Sequence, residues 1–249
     1  MRILFMGTPE FALDSLKKLN EQHDIIGIFT KVDKPNRRGK KIKFNPVKEF
    51  GIENGITVYQ PNSVKTKETL DLVRELNPDL IVVVAYGKIL PQELIDIPKK
   101  GIINVHSSLL PKYRGAAPIH AAIINGEKES GVTIMDIVEE LDAGDIILQA
   151  KTPINETDTL EDLHDRLAKI GSETLLKAIE LIEKDEVVRT PQDESKVTFV
   201  KPIKKDECEI HWDHTMERVY NFVRGLNPFP AAYSFCNKKL YKIYFVEKY

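Results

Sequence analysis

The chain has 249 residues, enough for one large domain or for one domain with a small appendage. Its composition, 42% hydrophobic and 30% charged, is typical of a soluble globular protein, and its apolar runs stay well below the roughly 18 residues of a membrane span. The formal net charge of −2 gives the chain as a whole no bias toward nucleic acid.

The first half of the chain alternates short apolar runs with amphipathic stretches. We predict strands over Ile3–Met6, Ile25–Thr30, Leu80–Ala85 and Ile102–Val105, with a shorter one at Val58. We predict helices from about Pro9, over Asn45–Asn54 and over Lys67–Glu75. This order predicts the α/β class: a Rossmann-like, mostly parallel sheet with helices on both faces.

The second half predicts a different order of elements. We expect a strand at Val132–Met135, an acidic loop at Glu139–Asp145, a strand at Ile146–Leu148, and a long helix that Thr159 and Asp162 cap. Residues 190–206 are polar and interrupted by prolines, as in a linker. After it we predict a short strand near Ile210, a helix over Met216–Arg224, and a hairpin of Ala232–Phe235 and Lys239–Val246. The predicted division is a main domain at 1–189, a linker at 190–206, and a short, incomplete C-terminal β segment at 207–249.

One basic segment departs from the neutral charge balance. Residues 31–43 carry seven cations and one acid. Such a run marks either a solvated surface loop or a surface that binds anions.

The two cysteines predict neither a metal site nor a disulfide. Cys208 and Cys236 are far apart and lack a Cys-x-x-Cys spacing. The opening segment is too quickly polar for a secretory signal. We therefore expect a cytoplasmic chain with two free thiols, no bound metal and no contact with membrane.

Polar residues at the ends of the apolar runs are candidates for chemistry, because ligands bind at the carboxyl ends of parallel strands. Strand alternation places Asn104 and His106 on one face. An amide donor beside an imidazole suits a reaction in which a carbonyl oxygen gains negative charge. Asp142, in a separate Gly-containing loop, could hydrogen-bond the imidazole. A polar cluster without catalysis fits the same spacing.

The stretch from Asn104 to Pro118 adds a motif: Asn-Val-His-Ser-Ser-Leu-Leu-Pro-Lys-Tyr-Arg-Gly-Ala-Ala-Pro. It resembles the formyltransferases that take a formyl group from 10-formyltetrahydrofolate. The similarity extends over residues 1–236. Its further motifs, in chain order, are Met6–Ala12, Arg38–Lys41, Val83–Gly87, Gly131–Met135, Leu141–Asp145 and Asn227–Pro230.

The resemblance implies roles for individual residues. It implies that Asn104, His106 and Asp142 form the catalytic trio and that no metal takes part. The folate contacts that it implies are Ser108, Leu109, Leu110 and Pro111, with Tyr86, Gly87, Ile89 and Leu90 around the pteridine slot. The residues that it assigns to the tRNA acceptor end are Arg37, Arg38, Lys40 and Lys41. By the same resemblance, residues 207–249 begin an OB-like barrel.

Three functions compete. The first is formylation of the free amino group of methionyl initiator tRNA, and the second is N-formylation of a nucleotide-linked amino sugar. The third, a nucleotide-binding module, lacks support because Gly7-Thr-Pro-Glu-Phe has no Gly-x-Gly-x-x-Gly pattern. The basic segment favours the first, since a tRNA acceptor stem supplies many phosphates and a sugar does not.

Overall fold

The computed structural model describes residues 1–33 and 43–248. The chain divides into two compact units. The first unit comprises Met1–His106, Thr133–Gln149 and Ala168–Gln192, and the second comprises Ser107–Val132, Ala150–Leu167 and Asp193–Tyr249.

Within the described residues, strands and helices follow one another closely. The strands are β1 (Arg2–Gly7), β2 (Asp24–Phe29), β3 (Val58–Tyr59), β4 (Leu80–Val84), β5 (Ile102–His106), β6 (Arg114–Gly115), β7 (Glu129–Asp136), β8 (Ile146–Pro153), β9 (Phe199–Val200), β10 (Ala232–Cys236) and β11 (Lys239–Ile243). The α-helices are α1 (Leu13–Gln22), α2 (Pro46–Glu53), α3 (Lys67–Leu76), α4 (Gln92–Ile95), α5 (Pro118–Ile124), α6 (Leu160–Glu183) and α7 (Met216–Gly225).

The main sheet has seven strands in the order β3-β2-β1-β4-β5-β7-β8. Strands β1 to β5 pair in parallel, while β7 runs antiparallel to β5. From β1 the chain adds strands on one side and then returns with β4 on the other, so the strand order reverses beside β1. The predicted fold class is confirmed.

The central strands are buried on both faces, which explains their unbroken apolar sequences. In β1, Ile3, Leu4, Phe5 and Met6 are 0% exposed. All five residues of β4 are buried as well. The backbone polar groups of such strands are satisfied by the ladder of hydrogen bonds between strands.

Local caps set the beginnings of the helices. Asn45 accepts a hydrogen bond from the backbone N–H of Lys48 and precedes Pro46 at the first turn of α2. For α6, Thr159 and Asp162 exchange the predicted capping hydrogen bonds, with the Asp162 carboxylate 2.9 Å from the Thr159 nitrogen. The cap predicted from the sequence is confirmed.

The second unit has its own small core. Its buried residues are Cys208, Ile210, Val223, Leu226 and Ala232. Helices α5 and α7 pack against each other there. One face of the β10–β11 hairpin joins this core through Ala232 and Ile243, which pair across the two strands.

Two predicted elements of this unit differ from the structure. Ile210 lies in no strand. A single bridge joins Glu209 to Tyr233, because a 3-10 turn at Lys205–Cys208 precedes this point and a second turn at Trp212 and Asp213 follows it. The last strand ends at Ile243 rather than at Val246. Helix α5 and strands β6 and β9 were not predicted, since each is too short to show a period.

Candidate active site

Asn104 is the middle residue and His106 the last residue of β5, which lies between β4 and β7 in the main sheet. Asn104 stands opposite Val83 of β4 and opposite Met135 of β7. His106 stands opposite Thr133. Residues two apart in a strand share a face, so the amide and the imidazole project to the same side. Strand β7 pairs with both residues and β4 pairs with Asn104, and the His106 side chain is only 6% exposed.

Asp142 reaches this strand from the loop between β7 and β8. Its Oδ2 lies 3.8 Å from Nδ1 of His106. That separation is an ion-pair distance and longer than a hydrogen bond. The Asp142 carboxylate is 17% exposed. The structure therefore brings together two residues that the sequence placed in separate motifs.

The loop around Asp142 has an unusual backbone. Asp142 has a φ of +50°, in the left-handed region that L-residues rarely adopt and that Asp tolerates better than most. Two residues later, a Cβ on Gly144 would lie 1.9 Å from the backbone oxygen of Asp136. Only glycine allows this close approach, so the packing of the loop requires a glycine at position 144.

Sequence reasoning missed one residue of this region, Gln192. Its Nε2 donates to the backbone oxygens of Asp142 and Gly144, at 2.8 Å in each case. Gln192 lies in the polar stretch that we interpreted as a linker, and a single hydrogen-bonding amide leaves no periodic signal.

The predicted pteridine-slot residues of the first unit follow β4. Tyr86 and Leu90 are buried in the core, at 1% and 4% exposed, whereas Ile89 is 68% exposed. Burial raises the pKa of Tyr86 to about 12. Gly87 has a φ of +68°, and a Cβ there would lie 2.5 Å from Nζ of Lys31. Of this set, Gly87 and Ile89 lie closest to the surface.

The neighbouring Lys88 has an altered charge environment. Burial, and then the nearby charge of Lys31, lower the pKa of the Lys88 ammonium. Its Nζ donates to the backbone oxygen of Asn62 at 3.0 Å and also contacts that of Pro61. These carbonyl contacts fix the turn that follows β4.

Ser108, Leu109, Leu110 and Pro111 belong to the second unit. The Ser108 hydroxyl donates to the backbone oxygen of Lys112 at 2.7 Å, which stabilises the turn. Leu110 is 3% exposed. Leu109 packs closely on Gly131: a Cβ added to Gly131 would lie 2.5 Å from Cδ2 of Leu109. The segment is an ordered loop.

The predicted tRNA-binding residues Arg37, Arg38, Lys40 and Lys41 lie outside the described residues. The residues that flank them are anchored. Lys48 contacts the carboxylate of Asp33 and donates to Oε1 of Gln60 at 2.7 Å. Gln60 in turn donates to the backbone oxygen of Lys31 at 2.7 Å. The start of the basic segment, at Lys31 and Asp33, is therefore held beside α2.

Residues 1–33 and 43–248 contain neither a metal-binding cluster nor a membrane-spanning helix. No group of three or more His, Cys, Asp or Glu side chains in these ranges could hold a metal ion. None of the helices in the same ranges has the length and apolarity that crossing a bilayer demands.

Comparison with known proteins gives matches over nearly the whole chain. The formyl transferase family matches residues 1–179, and the formyl transferase C-terminal domain matches residues 202–249. The chain is 57% identical to a methionyl-tRNA formyltransferase of Fusobacterium nucleatum, over 98% of this chain and 79% of the relative. It is 48% identical to a methionyl-tRNA formyltransferase of Moorella thermoacetica, with the same coverage of 98% and 79%.

Solved structures resemble the fold at lower identity. One is a sugar 3N-formyl transferase, determined in the presence of dTDP and 5-N-formyl-THF. It has a TM-score of 0.73 at 23% identity, covering 98% of this chain and 85% of the other. A likeness of this degree establishes a shared fold.

Proposed function

The chain belongs to the formyl transferase family, and on that premise we propose that it formylates methionyl initiator tRNA with 10-formyltetrahydrofolate as the donor. The acceptor is the free amino group of the methionyl residue. The observation that carries this conclusion is the 57% identity to a methionyl-tRNA formyltransferase over 98% of the chain. The arrangement of Asn104, His106 and Asp142 supports the reaction type.

In this mechanism the neutral amine attacks the formyl carbon, and a new C–N bond forms. The electron pair of the carbonyl moves to oxygen and creates a tetrahedral oxyanion. The Asn104 amide and His106 in its imidazolium form donate hydrogen bonds to that oxyanion. Both lie on one face of a rigid central strand, so the donors are positioned before the reaction begins.

Asp142 has two tasks. Its carboxylate, 3.8 Å from Nδ1 of His106, stabilises the imidazolium and leaves the opposite nitrogen, Nε2, directed away from the carboxylate toward the oxyanion. It also accepts, through a water, the proton that the attacking amine loses. Asp142 then returns this proton, through the same water, to the folate nitrogen. As the oxyanion collapses and the carbonyl re-forms, the bond between the formyl carbon and this protonated nitrogen breaks.

We propose two sets of donor contacts. Tyr86, Gly87, Ile89 and Leu90 belong to the first unit. Their support is the position after β4, at the carboxyl edge of the sheet where the strand order reverses. The support for Ser108, Leu109, Leu110 and Pro111 of the second unit is the resemblance of their motif.

For the tRNA we propose phosphate contacts from Arg37, Arg38, Lys40 and Lys41. The support is the charge of residues 31–43, seven cations and one acid. We retain the proposed division into a catalytic domain at 1–189, a linker at 190–206 and a C-terminal segment at 207–249. The family matches at 1–179 and 202–249 support it.

The test is a direct assay of the acceptor. The protein is incubated with 10-formyltetrahydrofolate and methionyl initiator tRNA, and with an amino-sugar nucleotide in a parallel reaction. We expect N-formylmethionyl-tRNA to accumulate and the sugar to remain unmodified. Formylation of the sugar, with none of the tRNA, would replace the proposed function by the alternative.

A further inference from the structure

The loop that carries Asp142 depends on outside contacts for its shape. Residues 137–145 form neither helix nor strand. Asp142 itself has the left-handed φ of +50°. Because such a backbone costs energy for an L-residue, something must stabilise it. The direction of the Asp142 carboxylate follows from this backbone.

The Gln192 amide supplies two of the stabilising contacts. Its Nε2 donates to the backbone oxygen of Asp142 and to that of Gly144, both at 2.8 Å. A primary amide nitrogen has two hydrogens, so each carbonyl takes one. Gln192 is 9% exposed, and buried hydrogen bonds of this kind are costly to break. One side chain therefore fixes the peptide planes at two positions of the loop.

The residues just before Gln192 make hydrogen bonds to both ends of the same loop. Thr190 and Ile146 exchange two backbone hydrogen bonds, of 2.8 and 2.9 Å. The Nε of Arg189 donates to Oδ2 of Asp136 at 2.6 Å. Residues 189–192 therefore contact the start, the middle and the end of the loop. These contacts fix the position of the backbone from which the Gln192 side chain extends.

We propose that Gln192 is a positioning residue for formyl transfer: it fixes the peptide planes of the loop so that the Asp142 carboxylate faces His106. This inference rests on the proposed function, because it assumes that Asp142 takes part in the reaction. Gln192 contacts the loop backbone and acts through Asp142. The carboxylate is already 3.8 Å from Nδ1, so a small displacement of the loop removes the interaction.

The first test replaces Gln192 with an isosteric side chain that cannot donate. Gln192→Met should lower kcat by roughly 10- to 100-fold, as expected for a displacement of about 1 Å in a catalytic group. The KM values for donor and tRNA should stay within about threefold, because the substrate contacts are unchanged.

Thr69→Val is the matched control. It removes another hydrogen bond from a buried side chain to a backbone oxygen, that of Ser63 at 2.9 Å, within the same unit. It should leave kcat unchanged.

Gln192→Asn keeps a donating amide on a shorter side chain, so it should retain a higher kcat than Gln192→Met. It also tests the inference if Gln192→Met does not fold. A kcat for Gln192→Asn at or below that of a folded Gln192→Met, or a wild-type kcat for both, would overturn the inference.

A double-mutant cycle separates positioning from a merely structural role. In an Asp142→Asn background, Gln192→Met should cost less than about threefold in kcat, since its effect passes through the missing carboxylate. An equal loss in both backgrounds would overturn the inference. If Asp142→Asn alone leaves kcat unchanged, the catalytic assignment of Asp142 fails as well. If Asp142→Asn is slow while Gln192→Met is as fast as wild type, only the role of Gln192 fails.

Discussion

His106 and Asp142, which come from different elements of the chain, lie with Nδ1 and Oδ2 3.8 Å apart. The imidazole is fixed by a central strand, whereas the carboxylate stands on a loop that needs its own support. This division gives the site one rigid part and one adjustable part.

Asn104 tests the rigid part. Asn104→Ala should lower kcat by roughly 10²–10³, the usual cost of losing one oxyanion donor, with little change in donor affinity. Steady-state kinetics with methionyl-tRNA and equilibrium binding of the donor measure the two effects. Asn54→Ala, at the exposed end of α2, is the control and should have wild-type kcat. A kcat for Asn104→Ala within a few-fold of wild type is incompatible with the proposed oxyanion role.

Gly144 tests the adjustable part. In Gly144→Ala the new Cβ would lie 1.9 Å from the backbone oxygen of Asp136, so the loop must move. We expect a loss of about 1–3 kcal/mol in the free energy of unfolding, and a lower kcat as Asp142 shifts. Urea unfolding and kinetics measure both.

The control for Gly144 is Gly101→Ala. Gly101 has a φ of +81° but open space around a Cβ. Gly101→Ala should therefore lower the free energy of unfolding by about 1 kcal/mol through backbone strain alone, with kcat unchanged. Equal stability of Gly144→Ala and wild type would mean that the loop does not pack as described.

The anchor of the basic segment predicts a pH dependence of stability. The hydrogen bond from Lys48 lowers the pKa of Asp33 below its ordinary value of 3.8. The unfolded chain then binds more protons than the folded one as pH falls, so this contribution is present above about pH 4 and is lost as pH falls through the lowered pKa. Asp33→Asn should be less stable than wild type at about pH 6, and the difference should shrink at about pH 3.

Urea midpoints at the two pH values measure this effect. Lys48→Met removes the same pair from the other side, and its difference from wild type should shrink in the same way. A difference that stays constant with pH in both variants would show that the Asp33–Lys48 pair does not contribute to stability.

The sequence predicted some parts of this molecule better than others, for physical reasons. Strand alternation was enough to place Asn104 and His106 on one face, because the period of a strand is fixed. The contact of His106 with Asp142 needed the tertiary fold, and the family motif only implied it. Gln192 was missed because its contacts are to backbone oxygens, which any loop sequence provides. Helix α5 was missed because seven residues are too few to show a helical period.

The basic segment tests the choice of acceptor. Lys40→Ala with Lys41→Ala should raise the KM for methionyl-tRNA and flatten its dependence on salt. Each lost phosphate contact should remove about 0.7–0.9 from the log–log slope. Transfer to a small amine should be unaffected. A salt slope identical to wild type would remove the charge argument for tRNA and favour the amino sugar.

The most direct test of the account is the single-turnover rate of formyl transfer to methionyl initiator tRNA, at saturating 10-formyltetrahydrofolate, for wild type and His106→Ala. His211→Ala, an exposed histidine of the second unit, is the control. We predict that His106→Ala is slower than wild type by at least about 10²-fold, since it loses both a charge and an oxyanion donor, with donor affinity nearly unchanged. A rate within a few-fold of wild type, or a tenfold loss of donor binding at a normal rate, would contradict it.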